Sequence, residues 1–180
     1  MNRTIYISPF GDIPEGLLSW LVRDLGGFLG VPCRLLPPRP VPEGSFEPKR
    51  NQHISTRILK AILEEVPQDA AKVLGVIDRD LCILILTFVF GEAQLGGVGA
   101  VVSLARLRQE FYGLHPDEPL FLERLHKECL HELGHTYGLI HCHHPECVMR
   151  LSNTVHDVDL KGRTMCKACS DILQERINGG

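Results

Sequence analysis

An α/β fold (α+β in some schemes) built on a mainly parallel sheet is predicted by three features of this sequence. Short β-branched runs alternate with amphipathic helical stretches from Arg3 to Ile77 in the order β-α-β-α-β, the pattern of parallel strands joined by crossover helices. The chain has 180 residues, enough for one domain that buries its own core. Hydrophobic residues make up 44% and charged residues 23% of it. These are globular proportions, and they exclude disorder and fibrous repeats as descriptions of the whole chain.

Residues 3–10, RTIYISPF, read as a first strand that ends at Pro9 and Gly11. Leu17, Leu18, Leu21, Val22, Leu25 and Phe28 follow at helical spacing behind Pro14 and Glu15. Cys33 to Leu36 is a short second strand, and the proline-rich stretch from Pro37 to Pro48 is an irregular surface loop. Residues 52–66 carry Ile54, Ile58, Ala61, Ile62 and Val66 on one helical face, and Lys72 to Ile77 forms a third strand. Two more strands are expected at Phe88 to Gly91 and Ala100 to Leu107. Between them lie Gly96, Gly97 and Gly99, a flexible connection and not a phosphate loop, since no Lys-Ser/Thr pair follows. From Glu118 to Gly138 the pattern is helical again, with Leu122, Leu125, Cys129, Leu133 and Tyr137 near one face.

The longest apolar run, Leu81 to Phe90, is ten residues, against the roughly 20 that a membrane-spanning helix needs. Met1 to Gly16 lacks the charged and then apolar layout of a signal peptide. A soluble, cytoplasmic protein is therefore expected, with no membrane partner and with a monomer favoured. A net charge of −3 offers no counterion-release term, so no nucleic-acid partner is expected either.

The chemistry is concentrated in the last third of the chain. His131 and His135 stand at i and i+4 on one face of the predicted helix with Glu132 beside them, the HExxH arrangement that grips one zinc ion. Gly138 and His141 extend it to HExxHxxGxxH, the metzincin pattern. Were the helix to continue, His141 would lie about 9 Å beyond His135 at 1.5 Å per residue and could not share its metal. The helix must therefore end, and a glycine in the left-handed conformation turns the chain back. Three neutral imidazoles leave a fourth position for water, which marks a catalytic zinc. On this reading the metal-bound water is the nucleophile and Glu132 the general base, since its carboxylate reaches that water without completing the metal shell.

A second cluster, Cys142-x4-Cys147 with Cys166-x2-Cys169, has the spacing of a closed four-thiolate structural zinc site. Its alternatives are disulfides or free thiols. The odd count of seven cysteines and the missing secretory signal favour the metal. His141 and Cys142 are adjacent and their side chains must diverge, so two separate ions are inferred. His143 and His144 lie beside this cluster and rank below the cysteines as ligands. Cys33, Cys82 and Cys129 read as buried small hydrophobes.

Together the clusters resemble the archaemetzincin family, whose signature is HExxHxxGxxHCx4CxM followed by CxxC. Here that run is His131 to Cys142, then Cys147-Val148-Met149, then Cys166-Lys167-Ala168-Cys169. Phe88 to Ala93 also resembles the family's upper-rim region. The stretch between Met149 and Cys166 is one residue shorter than the family spacing, a change that leaves the ligands in place beside an altered cleft wall. The resemblance implies a metzincin-like zincin with a mixed, mostly parallel five-stranded sheet whose edge strand borders the substrate cleft. It implies one catalytic domain, 1–180, made of an N-terminal subdomain 1–138 and a small C-terminal subdomain 139–180. It makes Met149 the Met-turn methionine, a hydrophobic floor under the metal. The activity implied is zinc-dependent hydrolysis of peptide bonds in peptides or proteins, with two zinc ions per chain, one catalytic and one structural.

Some metzincins carry a metal-facing tyrosine two residues after that methionine, where this chain has Leu151. Only Tyr6, Tyr112 and Tyr137 exist, so Arg150, His143 and His144 are the remaining candidate oxyanion helpers. Aminopeptidase and endopeptidase action both stay open. The reading from another class is a non-catalytic two-zinc interaction module, which would have no use for Glu132 as a base.

Overall fold

The computed structural model describes residues 4–179. Arg3, where the first predicted strand begins, lies outside them. Strand β1 (Thr4–Phe10) is buried along its whole length because it has parallel partners on both sides, β2 (Cys33–Leu35) and β5 (Ala70–Ile77). β9 (Gly99–Ser103) extends the sheet in parallel, and β8 (Gly91–Ala93) closes it antiparallel, in the order β2-β1-β5-β9-β8. The sheet is thus mixed, mostly parallel and five-stranded, as expected.

Side-chain alternation along these strands builds two cores. Ile5, Ile7, Leu74, Val76, Ala100 and Val102 face helices α1 (Glu15–Leu29) and α3 (Glu118–Thr136). Tyr6, Phe10, Val73, Ile77 and Val101 face Ile58, Leu59 and Ile62 of α2 (Ser55–Glu64). The first core continues into the C-terminal stretch through Val148, Met149, Val158, Met165 and Leu173. There the chain forms α4 (Val155–Leu160) and α5 (Lys167–Gly179), neither of which the sequence pattern suggests. No helix among the described residues is long and apolar enough to cross a membrane.

Several boundaries differ from expectation, each for a local reason. The stretch 52–66 opens as a strand, β4 (Gln52–Ile54), before α2 begins. The chain enters it through Asn51, whose φ is +52°, and His53 N donates to Asp80 O at 2.8 Å. A second, four-stranded sheet in the order β3-β4-β6-β7 results, with β3 (Phe46–Glu47), β6 (Leu81–Ile83) and β7 (Leu86–Val89). Strand β3 lies in the stretch expected to be irregular. The apolar run 81–90 folds as the β6–β7 hairpin, so the strand expected at 88–91 is two. β7 pairs with β6, β8 pairs with β9, and the chain changes sheets at Phe90. The strand expected at 100–107 stops at Ser103, whose Oγ accepts from Ala105 N at 3.1 Å and starts a short 3-10 turn. Cys82 and Cys129 are buried as expected, whereas Cys33, on the edge strand β2, is half-buried.

Candidate metal centres and active-site cleft

Helix α3 carries the first cluster. Asp117 caps its N-terminus by accepting from Leu120 N at 3.0 Å, and nearly every residue from Arg124 to Thr136 is buried. Its C-terminus ends as the glycine requires. Gly138 has φ +88°, its N–H donates to His135 O at 2.9 Å, and Leu139 N–H donates to Gly134 O at 3.1 Å. The turn brings His141 back, so that His131, His135 and His141 each offer a ring nitrogen within 4.8 Å of the others.

The backbone selects which nitrogen. His131 Nδ1–H donates to Val148 O at 2.9 Å and His135 Nδ1–H to Leu139 O at 2.7 Å. Carbonyl acceptors fix the proton on Nδ1 and leave both Nε2 lone pairs free. These two Nε2 atoms stand 3.1 Å apart. Burial holds His131 well below its ordinary range, with the Lys161 ammonium adding to the effect, and burial also lowers His135 and His141. Three converging neutral imidazoles are a donor set that fits zinc.

Glu132 is buried against the edge strand. A Cβ on Gly91 would come 2.6 Å from Glu132 Cγ, so only glycine at that position of β8 lets the carboxyl lie there. Burial pushes this carboxyl well up, Glu128 adds to the rise and Lys161 opposes it. Met149 is fully buried, and a Cβ on Gly134 would overlap its Sδ. The methionine therefore packs beneath α3 between the two helical histidines. The cleft above them has a volume of about 440 Å³, with β7 and β8 on one wall and Leu151 to Asn153 on the other. Two larger cavities, of about 580 and 610 Å³, lie elsewhere and contain neither cluster.

The four cysteines of the second cluster also converge, with every Sγ within 4.8 Å of the others. Cys142 and Cys166 Sγ are 3.8 Å apart. No disulfide forms among the described residues. Backbone N–H groups already point at the sulfurs: Cys166 N donates to Cys147 Sγ at 3.3 Å and His144 N to Cys142 Sγ at 3.4 Å. The Cys169 N–H is the main cause holding the Cys166 thiol down at about 7. Burial raises the Cys147 and Cys169 thiols, so the N–H donors and the lowered Cys166 thiol favour the thiolate form while the two buried cysteines need the charge of a metal to reach it.

The suggested oxyanion helpers fare differently. His143 and His144 are exposed, and neither they nor Arg150 lines the cleft. The tyrosines are engaged elsewhere: Tyr6 donates to Asp69, Tyr112 donates to Arg106 O, and Tyr137 lies under the Lys72 ammonium.

Sequence reasoning missed Glu128 and Lys161. Lys161 Nζ is 2.8 Å from Glu128 Oε1 with both side chains almost wholly buried, and 3.4 Å from His131 Nδ1. Glu128 lies three residues before His131 and four before Glu132, hence on their helical face. That spacing is readable in the sequence, but its partner is not. Removing one member of a buried pair strands the other's charge, which costs about 3–5 kcal/mol. Lys161→Met is accordingly expected to lower unfolding stability by about that much, and Lys161→Met/Glu128→Gln to recover most of it, as measured by urea titration. Equal stability of Lys161→Met and the wild type would show that the pair contributes nothing to the helix that carries His131.

Comparison with known proteins agrees with this geometry. The model of Peptidase family M54 matches residues 43–175. The archaemetzincin of Methanocaldococcus jannaschii is 44% identical over 98% of this chain and 96% of its own, and that of Pyrococcus furiosus is 38% identical over 100% and 97%. The crystal structure of the Archaeoglobus fulgidus archaemetzincin complexed with malonate superposes with a TM-score of 0.82 at 36% identity, covering 94% of this chain and 99% of that one. The Methanopyrus kandleri archaemetzincin gives 0.84 at 33%, covering 98% and 96%. These similarities lend no support to a non-catalytic module. With relatives this similar along nearly its whole length, the chain belongs to peptidase family M54, the archaemetzincins, and is a zinc-dependent peptidase.

Proposed function

We propose that His131 and His135 hold the catalytic zinc through Nε2 together with His141, that Glu132 is the general base, and that Cys142, Cys147, Cys166 and Cys169 hold a second, structural zinc. The observation that carries the reading is the convergence of imidazoles whose Nδ1 protons are fixed by Val148 O and Leu139 O. Bound there, zinc supplies a Lewis acid and brings the pKa of a water it binds to about 7.

The chain's own groups do the rest. Edge strand β8 offers a template for the peptide. Phe90, Glu92 and Gln94 exchange ladder bonds with β9, as Ser103 N→Phe90 O and Gln94 N→Gly99 O mark out. The N–H and C=O groups of Gly91 and Ala93 therefore point away from β9, where an extended substrate can pair with them. Glu132, packed on Gly91, then takes a proton from the attacking water on its carboxylate and passes it to the leaving amine. Met149 supports the helix from beneath.

The chain acts as one catalytic domain divided at Gly138 into 1–138 and 139–180, a division consistent with the turn there and with a core shared across it. The cleft is complete within one chain, which supports a monomer. A reducing cytoplasmic setting keeps the four thiols available for metal.

Freshly purified protein is expected to contain two zinc ions per chain by elemental analysis. His135→Ala should retain one, melt cooperatively and hydrolyse no peptide. A single ion in the wild type, or an active His135→Ala, would contradict the assignment.

A further inference from the structure

Nothing in the mechanism uses the middle of the apolar run 81–90. It forms the β6–β7 hairpin, closed by Ile83 paired with Leu86, so that Leu84 and Ile85 stand at its corner, 82% and 86% exposed. Two-residue hairpin corners favour Asn, Asp or Gly because the preferred turns need positive φ. Neither Leu84 nor Ile85 has one. The corner is braced from outside, as the Arg50 guanidinium donates to Ile83 O and Leu86 O at 2.9 Å each. An arginine thus holds an apolar corner in water, where burying it elsewhere would have been favourable.

Leu86 continues from that corner into the cleft that holds His131 and Glu132. Across the cleft Leu151 lines the other wall, and each leucine is 49% exposed. No lysine or arginine lines the cavity. The one carboxylate on the β7–β8 wall, Glu92, already accepts from the Ser55 and Thr56 hydroxyls. A charged substrate side chain between the two leucines would lose water and find neutral Thr87, Ser152 and Asn153 and the already engaged Glu92 near it, with no lysine or arginine, whereas an apolar one would release water from three surfaces.

We propose that Leu86, extended by the Leu84–Ile85 corner, and Leu151 determine specificity, and that the substrates are peptides presenting a large apolar side chain such as Leu or Phe between these two lips. This rests on the reading of the cleft as the active site. Both leucines are half exposed, so replacing them hollows out no core.

The test uses alanine octapeptides, each with free and with blocked ends, carrying one variable residue, Leu, Phe, Ala, Asp or Lys, moved through every position. Zinc-loaded full-length protein should cleave the Leu and Phe peptides at one of those positions about tenfold faster in kcat/KM than the Ala peptide, and faster still than the Asp and Lys peptides. In Leu86→Ser/Leu151→Ser that ratio should fall to about one or two. Fluorescence anisotropy of labelled peptides on zinc-loaded Glu132→Ala protein should show the same ordering in Kd. A wild type that cleaves all five alike, or a double variant that keeps the wild-type ratio, overturns the proposal. If Leu84→Ser/Ile85→Ser leaves the ratio unchanged but abolishes flotation with phosphatidylcholine vesicles or self-association in sedimentation, the corner serves a lipid surface or a second copy, and its part here is wrong. No cleavage of any peptide by the zinc-loaded wild type would instead sink the active-site reading itself, and this proposal with it.

Discussion

Glu132→Ala is expected to lower kcat/KM by about 10²–10⁴-fold, the range that general acid–base groups contribute, while both zinc ions stay bound. The carboxyl lies on the edge strand at Gly91 and is not one of the three converging imidazoles, so its loss removes a proton carrier and leaves the ligands intact. Glu132→Gln keeps the shape without the proton-accepting oxygen and should be as inactive as the Ala variant. Turnover retained in either would remove Glu132 as the base. A loss of the catalytic zinc in both would make it a structural support for the ligands.

What could be read beforehand and what could not divides along sequence distance. His131, Glu132 and His135 share one turn of one helix, and Gly138 is three residues from His135, so helical geometry alone demanded the reversal that its φ of +88° provides. The paired cysteines declared themselves by spacing in the same way. The parallel sheet followed from alternating strands and helices, whose apolar faces are set by local periodicity. The second sheet was illegible because β3, β4, β6 and β7 are two to four residues long, too short to show a period. The switch at Phe90 was hidden because one apolar run serves two sheets in succession. Lys161 gave no signal at all: a lysine after a short helix reads as a solvated charge until the fold buries it against Glu128. Helices α4 and α5 were missed for a related reason. They bury one residue, Val158, and two residues, Cys169 and Leu173, respectively, which is too little for an amphipathic stripe.

That sparse burial sets the largest structural effect expected. Cys166→Ser should lose the structural zinc and expose residues 142–149 and 162–170 to hydrogen exchange, because the exposed stretches of these segments, 143–146, 163–164 and 167–168, are tied down by the metal and not by the core. Cys142 and Cys166 are half-buried; Val148, Met149 and Met165 pack into the main core, but residues 143–146 and 163–164 are exposed. In segments of that kind the free energy of metal binding is largely the free energy of folding. The region that opens also carries parts of the active site. Cys142 N–H donates to Met149 O at 3.0 Å, Val148 O holds the proton of His131 Nδ1, and His141 immediately precedes Cys142. Disorder around the cysteines therefore reaches one histidine directly and another through its hydrogen-bond acceptor. Activity should fall by about 10-fold or more, within the range expected when groups supporting metal ligands are removed, although every catalytic ligand is still encoded. His135→Ala is the control: it should lose the other ion and keep amide protection over 142–149 and 162–170. The C-terminal residues Val158 and Leu173, buried in the main core, should remain protected in both variants, so the opening is local and the melt of the remainder stays cooperative. Cys166→Ser protein that keeps two zinc ions and wild-type protection over 142–149 would show that side-chain packing, and not the four thiolates, holds this segment in place.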